Sequence, residues 1–293
     1  MKKYFLLSVF SVFVSILIIT GRAMSAQTIT AVKVTSPPVI DGAASDSVWK
    51  FANAVTVKDV RTGGDVTLKA LYTDEQIYFL VTYPDKTEDR LQKPWVWDKG
   101  LKAYSMGPQR EDTFNFNWNM ESKEVDLSEF SDDTYTSDVW YWKANRSDPS
   151  GYADDKLHTL ASTSGKKAQD VISKSNKKRY LTRNGDEGEA SEKKRLLTDY
   201  EGDVVDQHIS VTPTGSRADI KAKGLWKAGF WTIEFARKLN TGHTDDIQFS
   251  PSSGKKYLFG ISIAGLYGEP IDKTAPHWYG QGRISENLYL VFK

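Results

Sequence analysis

The sequence predicts an all-β protein: an antiparallel β-sandwich with long loops and few short helices. Apolar and polar residues alternate in short stretches that are rich in β-branched and aromatic residues. Gly, Asp, Asn and Pro separate these stretches, as turns between strands require. A 3.6-residue apolar period is weak beyond residue 26, apart from a possible short helix near residues 43–53. The predicted strands cover residues 29–34, 66–72, 77–83, 114–118, 204–211, 230–235, 257–263 and 288–292.

Two local signals refine this pattern. The sequence Lys-Ala-Gly-Phe at residues 227–230 predicts a hairpin turn. Residues 162–198 are rich in charged residues, Ser and Gly, so they can bury little surface to offset the entropy of ordering. We therefore expect a charged, partly flexible surface excursion at about 162–198 within a single domain over 27–293. A docking surface for a partner is the alternative for this segment.

The N-terminus has the order of features that defines a secretory signal peptide. Two lysines precede an uncharged, almost wholly apolar run over residues 5–20, and small residues follow. We expect cleavage after Ser25 or Ala26. An uncleaved anchor is the alternative, although the run is short for a bilayer span of about 20 residues. With residues 1–26 removed, we expect no membrane span and a periplasmic or secreted location.

Charge and cysteine content argue against several functional classes. The 293-residue chain has a net charge of +1. Loss of Lys2, Lys3 and Arg22 with the signal peptide makes that charge −2. Near-neutrality argues against nucleic-acid binding, which needs a clustered basic face. The chain has no cysteine, which excludes thiolate zinc sites, iron–sulfur clusters and covalently attached haem. Any cofactor must therefore be held non-covalently.

Several motifs resemble known families. Residues 39–49, with an Asp-Gly turn and Trp49, resemble the opening of family-9 carbohydrate-binding modules. Residues 138–155 resemble the ethylbenzene-dehydrogenase-related haem-binding family, which supplies the haem b subunit of dimethyl-sulfoxide-reductase-type molybdoenzymes and occurs in free-standing proteins. Further stretches similar to this family cover residues 111–118, 224–239, 245–249 and 257–265. The similarity runs over most of the mature chain outside roughly 160–200.

This resemblance implies a sandwich that holds one six-coordinate haem b, with Met on one side of the iron and Lys or His on the other. Such a protein passes single electrons and binds no substrate at the iron, so it is not expected to be an enzyme itself. The resemblance also implies a redox partner protein, such as a molybdoenzyme or a cytochrome.

The mature chain offers two methionines as iron ligands, Met120 and Met106. A thioether ligand raises the potential of a haem and suits electron transfer. Met120 follows the predicted strand 114–118, and Met106 lies in a turn-like loop before that strand. The family's Met is expected close before the W-x-W-K motif, where this chain has residues 127–133 and no Met. Plain packing is the alternative role for either methionine.

The opposite ligand is predicted in the late loop, where the family has Lys or His. His277 is the first candidate because a neutral imidazole is a good iron ligand. Lys273 is the alternative, although a lysine must lose its proton to bind iron, which requires burial. The other histidines rank lower. His208 fits a cross-strand hydrogen bond, His158 a position at the pocket rim, and His243 an exposed turn.

Trp140 and Trp142 share one face of a strand because they are two residues apart. They can pack against a porphyrin, form part of the core or stack on sugar rings, and the sequence leaves these roles open. Arg146, Lys143 and, more weakly, Arg110 are candidates to pair with haem propionates. An ordinary surface charge is the alternative for each cation.

Other chemistry has weaker support. The Asp pairs at 132–133, 154–155 and 245–246 lack the spacing of a defined calcium loop, so turn formation accounts better for them. No hydrolase, zinc-protease or phosphate-loop motif occurs. The leading hypothesis is an exported haem b protein. The alternative is a carbohydrate-binding module of the same fold, with the two tryptophans above, or Trp95 and Trp97, as sugar platforms. A structural envelope protein without ligand is a third, weaker hypothesis.

Overall fold

A computed structural model describes residues 26–59, 63–265, 268 and 284–293. The predicted signal peptide, except Ala26, lies outside these residues, as do His277 and Lys273. The described strands are β1 (Thr28–Lys33), β2 (Val55–Lys58), β3 (Asp65–Tyr72), β4 (Gln76–Pro84), β5 (Trp95–Asp98), β6 (Ala103–Met106), β7 (Thr113–Asn119), β8 (Tyr135–Lys143), β9 (Asp154–Ala161), β10 (Gln169–Ile172), β11 (Lys178–Gly185), β12 (Glu192–Lys194), β13 (Val204–Val205), β14 (His208–Ser210), β15 (Lys221–Lys227), β16 (Phe230–Lys238), β17 (Tyr257–Ala264) and β18 (Leu288–Phe292).

Helical structure in the described residues is confined to short 3-10 turns. They cover Ser47–Phe51, Asp148–Ser150, Gly215–Ala218 and Pro251–Ser253. No helix in this part of the chain is long and apolar enough to cross a membrane. The prediction of an all-β fold with few short helices is therefore confirmed.

One hydrogen-bonded sheet supplies both layers of the sandwich. Its strand order is β10-β11-β9-β8-β7-β17-β18-β1-β3-β4-β16-β15, and β2 pairs with β3. Strand β1 pairs in parallel with β18 and β3, whereas the other described pairs of this sheet are antiparallel. The two halves face each other, because Phe79 of β4 lies 4.8 Å from Phe116 of β7 and Trp231 of β16 lies 4.9 Å from Trp142 of β8, measured between ring centroids.

The core between these halves is largely aromatic. Along β7, Phe114, Phe116 and Trp118 are fully buried, and they alternate with Asn115 and Asn117, which line the opposite face of the sheet. Because successive side chains of a strand point to opposite faces, the core residues also fix the direction of the polar ones.

The possible helix near residues 43–53 is reduced to the 3-10 turn over Ser47–Phe51. Trp49 in this turn is buried against Leu71 and Tyr78, on the outer face of β3 and β4. Its Nε1 donates to Glu234 Oε1 at 2.8 Å, and the backbone N–H of Gly42 donates to Glu234 Oε2 at 2.8 Å. One buried carboxylate thus ties the opening motif to β16.

The predicted hairpin turn at residues 227–230 is confirmed. Lys227 pairs with Phe230 across β15 and β16, and Ala228 and Gly229 have positive φ values of 51° and 85°, as a type I′ turn requires. The predicted strand 204–211, in contrast, is split into β13 and β14. These two strands pair with β5 and β12, in separate small sheets.

Residues 162–198 form more structure than the expected surface excursion. They contain β10, β11 and β12, and β11 pairs with β9 as a continuation of the main sheet. Leu181 of β11 is buried in a small cluster with Tyr135 and Leu160. Backbone pairing to an existing strand, together with apolar contacts of Leu181 and Val171, therefore organises a segment that is largely polar.

We expect Gly224→Ala to lower the free energy of unfolding by about 1–3 kcal/mol, because a Cβ there would overlap the Trp142 ring and overpack the core. Gly165→Ala is the matched control, since a Cβ at Gly165 meets no atom within 4 Å. Urea denaturation of the two variants and the wild type measures the difference. Equal stability of all three would contradict close packing of Trp142 on β15.

Candidate functional site

The face of the sheet that points away from the core forms an open groove of about 980 Å³, a size typical of ligand sites. Neighbouring strands supply its floor in register: Asn115 of β7 lies opposite Tyr141 of β8 and Ser262 of β17. The floor includes Thr113, Asn115 and Asn117 of β7, Tyr141 of β8, His158 of β9 and Ser262 of β17. The pleat that directs aromatic rings into the core thus directs a polar set into the groove.

The His158 side chain on this floor is half-buried, and its imidazole is neutral. It lies opposite Ser137 of β8 and Arg183 of β11, and its Nε2 is buried without a hydrogen-bond partner among the described residues. Burial lowers the pKa of His158 to about 3, and the charges of Arg183 and Lys156 act in the same direction. A neutral ring has a lone pair on one nitrogen, so Nε2 can bind a metal in the tautomer protonated at Nδ1.

One end of the groove is positively charged. Lys93, Arg110 and Arg146 line it. Burial, with repulsion from Arg110 and Arg146, lowers the pKa of Lys93, and burial lowers the pKa of Arg110. Burial also opposes the charge of Arg146, but the paired carboxylate of Glu111 outweighs this effect and raises its pKa. Since Glu111 compensates only one of the three cations, this end can accept an anionic group.

The other end of the groove is apolar. Strand β8 runs from the apolar end of the groove to the charged end. Tyr135, its first residue, lines the apolar end, and Arg146, just beyond its last residue, lines the charged end. The apolar lining consists of Leu127, Phe130, Val171, Ile172 and Leu181. Phe130 and Ile172 are 41% and 52% exposed, which is unusual for large apolar side chains that share one concave surface. The basic residues at this end are ion-paired, Arg183 with Glu129 and Lys174 with Asp126.

The groove therefore combines three properties. It offers apolar contact at one end, cations at the other, and an unpartnered neutral nitrogen on the floor. This combination suits a flat amphiphilic molecule with acidic groups on one edge, and His158 adds the capacity to bind a metal atom.

Trp140 and Trp142 do not line the groove. Both are fully buried on the core face of β8, where Trp142 Nε1 donates to Asp148 Oδ1 at 3.0 Å. The sequence leaves open contact with a porphyrin, core packing and stacking on sugars. In the structure, both tryptophans pack in the core. Stacking on a sugar would need an exposed ring, and contact with a ligand in the groove would need the opposite face of the strand.

The two methionines also lie away from the groove lining. Met120 follows β7, and its backbone N–H donates to Thr136 O at 3.1 Å. Met106 ends β6 and is 60% exposed. Neither residue belongs to the groove lining. An iron–thioether bond from either methionine stays a prediction.

The cations that were predicted to face propionates have different environments. Arg146 and Arg110 line the charged end of the groove. Lys143 is buried and bonded to Asp154 Oδ2 at 2.6 Å, so its charge is already neutralised. His277 and Lys273, outside the described residues, stay predictions.

Trp95 and Trp97 lie on β5, in a separate sheet with β6 and β13. The Trp97 ring packs against Tyr104 and Tyr200, with ring centroids 4.9 and 5.2 Å apart. Tyr200 is 56% exposed. These rings form an aromatic cluster at the surface, distinct from the groove.

From the sequence alone, His158 is a weaker candidate ligand than His277. Residues 154–161 were not among the predicted strands, yet His158 shares strand parity with Lys156 and Leu160. Alternation alone does not reveal which face of a strand is concave. The unpartnered Nε2 and the lowered pKa depend on tertiary burial, which a single sequence does not supply.

The chain matches one family of known proteins and is distantly similar to several solved structures. The family described as ethylbenzene dehydrogenase matches residues 27–263. No curated protein matches the chain. A family-9 carbohydrate-binding module from Caldicellulosiruptor kristjanssonii, solved with cellotriose, is 12% identical with a TM-score of 0.40, covering 91% of this chain and 95% of that one. A putative carbohydrate-binding protein from Bacteroides uniformis is 9% identical with a TM-score of 0.40. The match covers 92% of this chain and 100% of that one.

We expect the His158 ring to stay neutral between pH 5 and 8, because burial and two nearby cations lower its pKa to about 3. His243 is the internal control: its hydrogen bond to Asp219 raises its pKa, so its ring should gain a proton at a higher pH than the ring of His158. Two-dimensional NMR of the imidazole nitrogens measures both. Titration of His158 near pH 6.5 would show that the groove floor is solvated.

Proposed function

Because the chain belongs to the ethylbenzene dehydrogenase family, we propose that it is an exported, non-catalytic protein that binds haem b without a covalent link and relays single electrons. The observation that carries this proposal is the unpartnered Nε2 of neutral His158 on the floor of an amphipathic groove. A second protein, such as a molybdoenzyme or a cytochrome, is the proposed redox partner.

The described residues of the groove fit the chemistry of haem b. Lys93, Arg110 and Arg146 suit two propionates, since guanidinium and ammonium groups form strong bonds with carboxylates. The apolar end, with Phe130 and Ile172, suits the hydrocarbon edge of the porphyrin. His158 Nε2 is the proposed iron ligand from the sheet, and His277 or Lys273 stays the predicted ligand from the late segment.

The environment of His158 favours this role. An imidazole must be unprotonated to bind iron, and the low pKa of His158 means that it loses no proton on binding. Bound haem iron would supply the one-electron redox chemistry; the protein would hold the ligand and shield it.

We expect the mature wild-type protein to take up hemin and give a low-spin spectrum, with sharp α and β bands after reduction. His158→Gln should weaken haem retention or convert the spectrum to high-spin. His208→Gln is the matched control, because burial likewise lowers the pKa of His208, to about 4, but His208 does not line the groove. Absorption spectra of the three proteins make the comparison.

Two outcomes would contradict parts of this proposal. A featureless visible spectrum of wild type after addition of hemin would refute haem binding. A low-spin spectrum that survives His158→Gln but is lost in His277→Ala would refute His158 as a ligand and leave the late segment as the source of the protein ligand.

A carbohydrate-binding role is the second candidate, and the surface cluster of Trp97, Tyr104 and Tyr200 favours it. Exposed aromatic rings stack on the apolar faces of sugars. In this case, soluble oligosaccharides should change tryptophan fluorescence in wild type, and Trp97→Ala should abolish the change. Phe51→Ala removes an exposed ring elsewhere and is the control. No change in wild type with a broad glycan set would count against this role.

A further inference from the structure

A cluster of buried carboxylates lies on the core side of β8 and β9, opposite the groove. One oxygen from each of Asp138, Asp155 and Asp246 lies within 4.8 Å of the others. All three residues are buried. They come from β8, from β9 and from the loop before β17, so the fold brings together acids that are far apart in the sequence. Asp186, also buried, follows β11 and acts electrostatically on Asp155.

Several oxygens in this cluster have no hydrogen-bond partner. Asp155 is 0% exposed, and neither of its oxygens accepts a hydrogen bond in the described part of the chain. The same holds for both oxygens of Asp186 and for Oδ1 of Asp138 and Asp246, whereas Asp246 Oδ2 is ion-paired with Arg237. Buried carboxylates without partners are strongly unfavourable unless an opposite charge or a proton joins them.

The adjacent residue Asp154 is also a buried acid, but its charge is balanced by neighbouring cations. Its carboxylate bonds Lys143 and Arg217 and lies 3.2 Å from Lys156 Nζ. Despite burial, these cations lower its pKa. Asp155, one residue later and on the opposite face of β9, has no such set of partners.

At the edge of the cluster, His243 Nδ1 lies 3.8 Å from Asp246 Oδ2, and among the described residues Arg237 of β16 is the guanidinium that faces the cluster. It lies 3.0 Å from Asp138 Oδ2 and 3.1 Å from Asp246 Oδ2, and Ile247 N–H also donates to Asp138 Oδ2. Arg237 thus occupies one side of the cluster. A single guanidinium against the carboxylates of Asp138, Asp155, Asp186 and Asp246 leaves a deficit of positive charge.

We propose that this cluster binds a calcium ion through Asp138, Asp155 and Asp246, with Asp186 at its edge. Calcium takes six to eight oxygen ligands at about 2.3–2.6 Å, so two ligands of one ion lie at most about 5 Å apart. The 4.8 Å limit on the oxygen separations meets that condition. The three ligands are all hard carboxylate oxygens, which favours calcium over softer transition metals.

Shared protons are the competing explanation for the cluster. Burial raises the pKa of Asp155, Asp186 and Asp246, the last two to about 8 and 6. Protons and calcium then compete for the same oxygens, so calcium binding should strengthen as pH rises from 5.5 to 8. The charged and titratable groups around the site are Asp138 and Asp155 of the strands, Asp186, Arg237, and Asp219, His243, Asp245 and Asp246 of the neighbouring loops.

Thermal denaturation of chelator-treated mature protein, with and without CaCl2, tests the proposal. We expect wild type to gain about 5–10 °C in Tm at a hundredfold excess of CaCl2 over Kd, with a larger gain at pH 8 than at pH 5.5. Asp155→Asn keeps the side-chain volume and removes a buried charge, so the variant should fold and should lose the calcium response. MgCl2 in place of CaCl2 should give a smaller gain.

Terbium luminescence provides a readout that is independent of stability. Trp140 lies next to the site, since the Arg237 guanidinium is 5.1 Å from its ring centroid. Tb3+ substitutes for calcium, so excitation of tryptophan should give terbium emission that CaCl2 displaces. Asp155→Asn should abolish this emission.

Asp112→Asn is the matched control, because Asp112 is equally buried, its pKa is raised to about 9, and it neighbours Asp85 instead of this cluster. It should retain both the calcium response and the terbium emission. Absence of both signals in wild type would overturn the proposal in favour of shared protons. Signals that survive Asp155→Asn but disappear in Asp112→Asn would place the ion elsewhere.

Discussion

The packing of aromatic rings from β7 and β8 against β4 and β16 determines the direction of every other side chain on these strands. A strand cannot turn one residue without turning its neighbours, because its side chains alternate between faces. With Phe116 and Trp140 held in the core, Asn117 and Tyr141 must line the groove. A register shift of one residue would expose the rings and destroy the groove together. Core stability and groove composition therefore rest on the same contacts.

Buried charge is distributed unevenly between the two faces of β9. On the groove side, Asp154 is surrounded by cations and His158 is neutral. On the core side, Asp155 joins a set of acids that one arginine faces. Ion pairs in the interior are costly to form and costlier to break. An acid cluster with too few cations is therefore consistent with the proposed cation site, whereas the ion pairs of Asp154 already balance its charge.

The sequence carries most of the information on the sheet and little on the sites. Alternation located β7, β16 and β17, and the Ala-Gly turn gave the hairpin, because both signals are local. The strands of segment 162–198 have no local signal, because β11 is stabilised by pairing to β9, a long-range effect. Asp155 and Asp246 appeared only as dipeptides at 154–155 and 245–246. Their meeting depends on the packing of a loop against the sheet, which no local pattern encodes.

The two proposed sites use one physical effect in opposite ways. Burial disfavours the charged form of any titratable group, so it lowers the pKa of an imidazole and raises that of a carboxyl. For His158 the neutral form is the one that binds a metal, so burial prepares the groove ligand over the whole physiological range. For Asp155 the charged form is the one that binds a cation, and burial opposes that form. The two positions are three residues apart on β9 and face opposite sides. Occupancy of the core-side cluster should therefore depend on pH, whereas the readiness of the groove ligand should not.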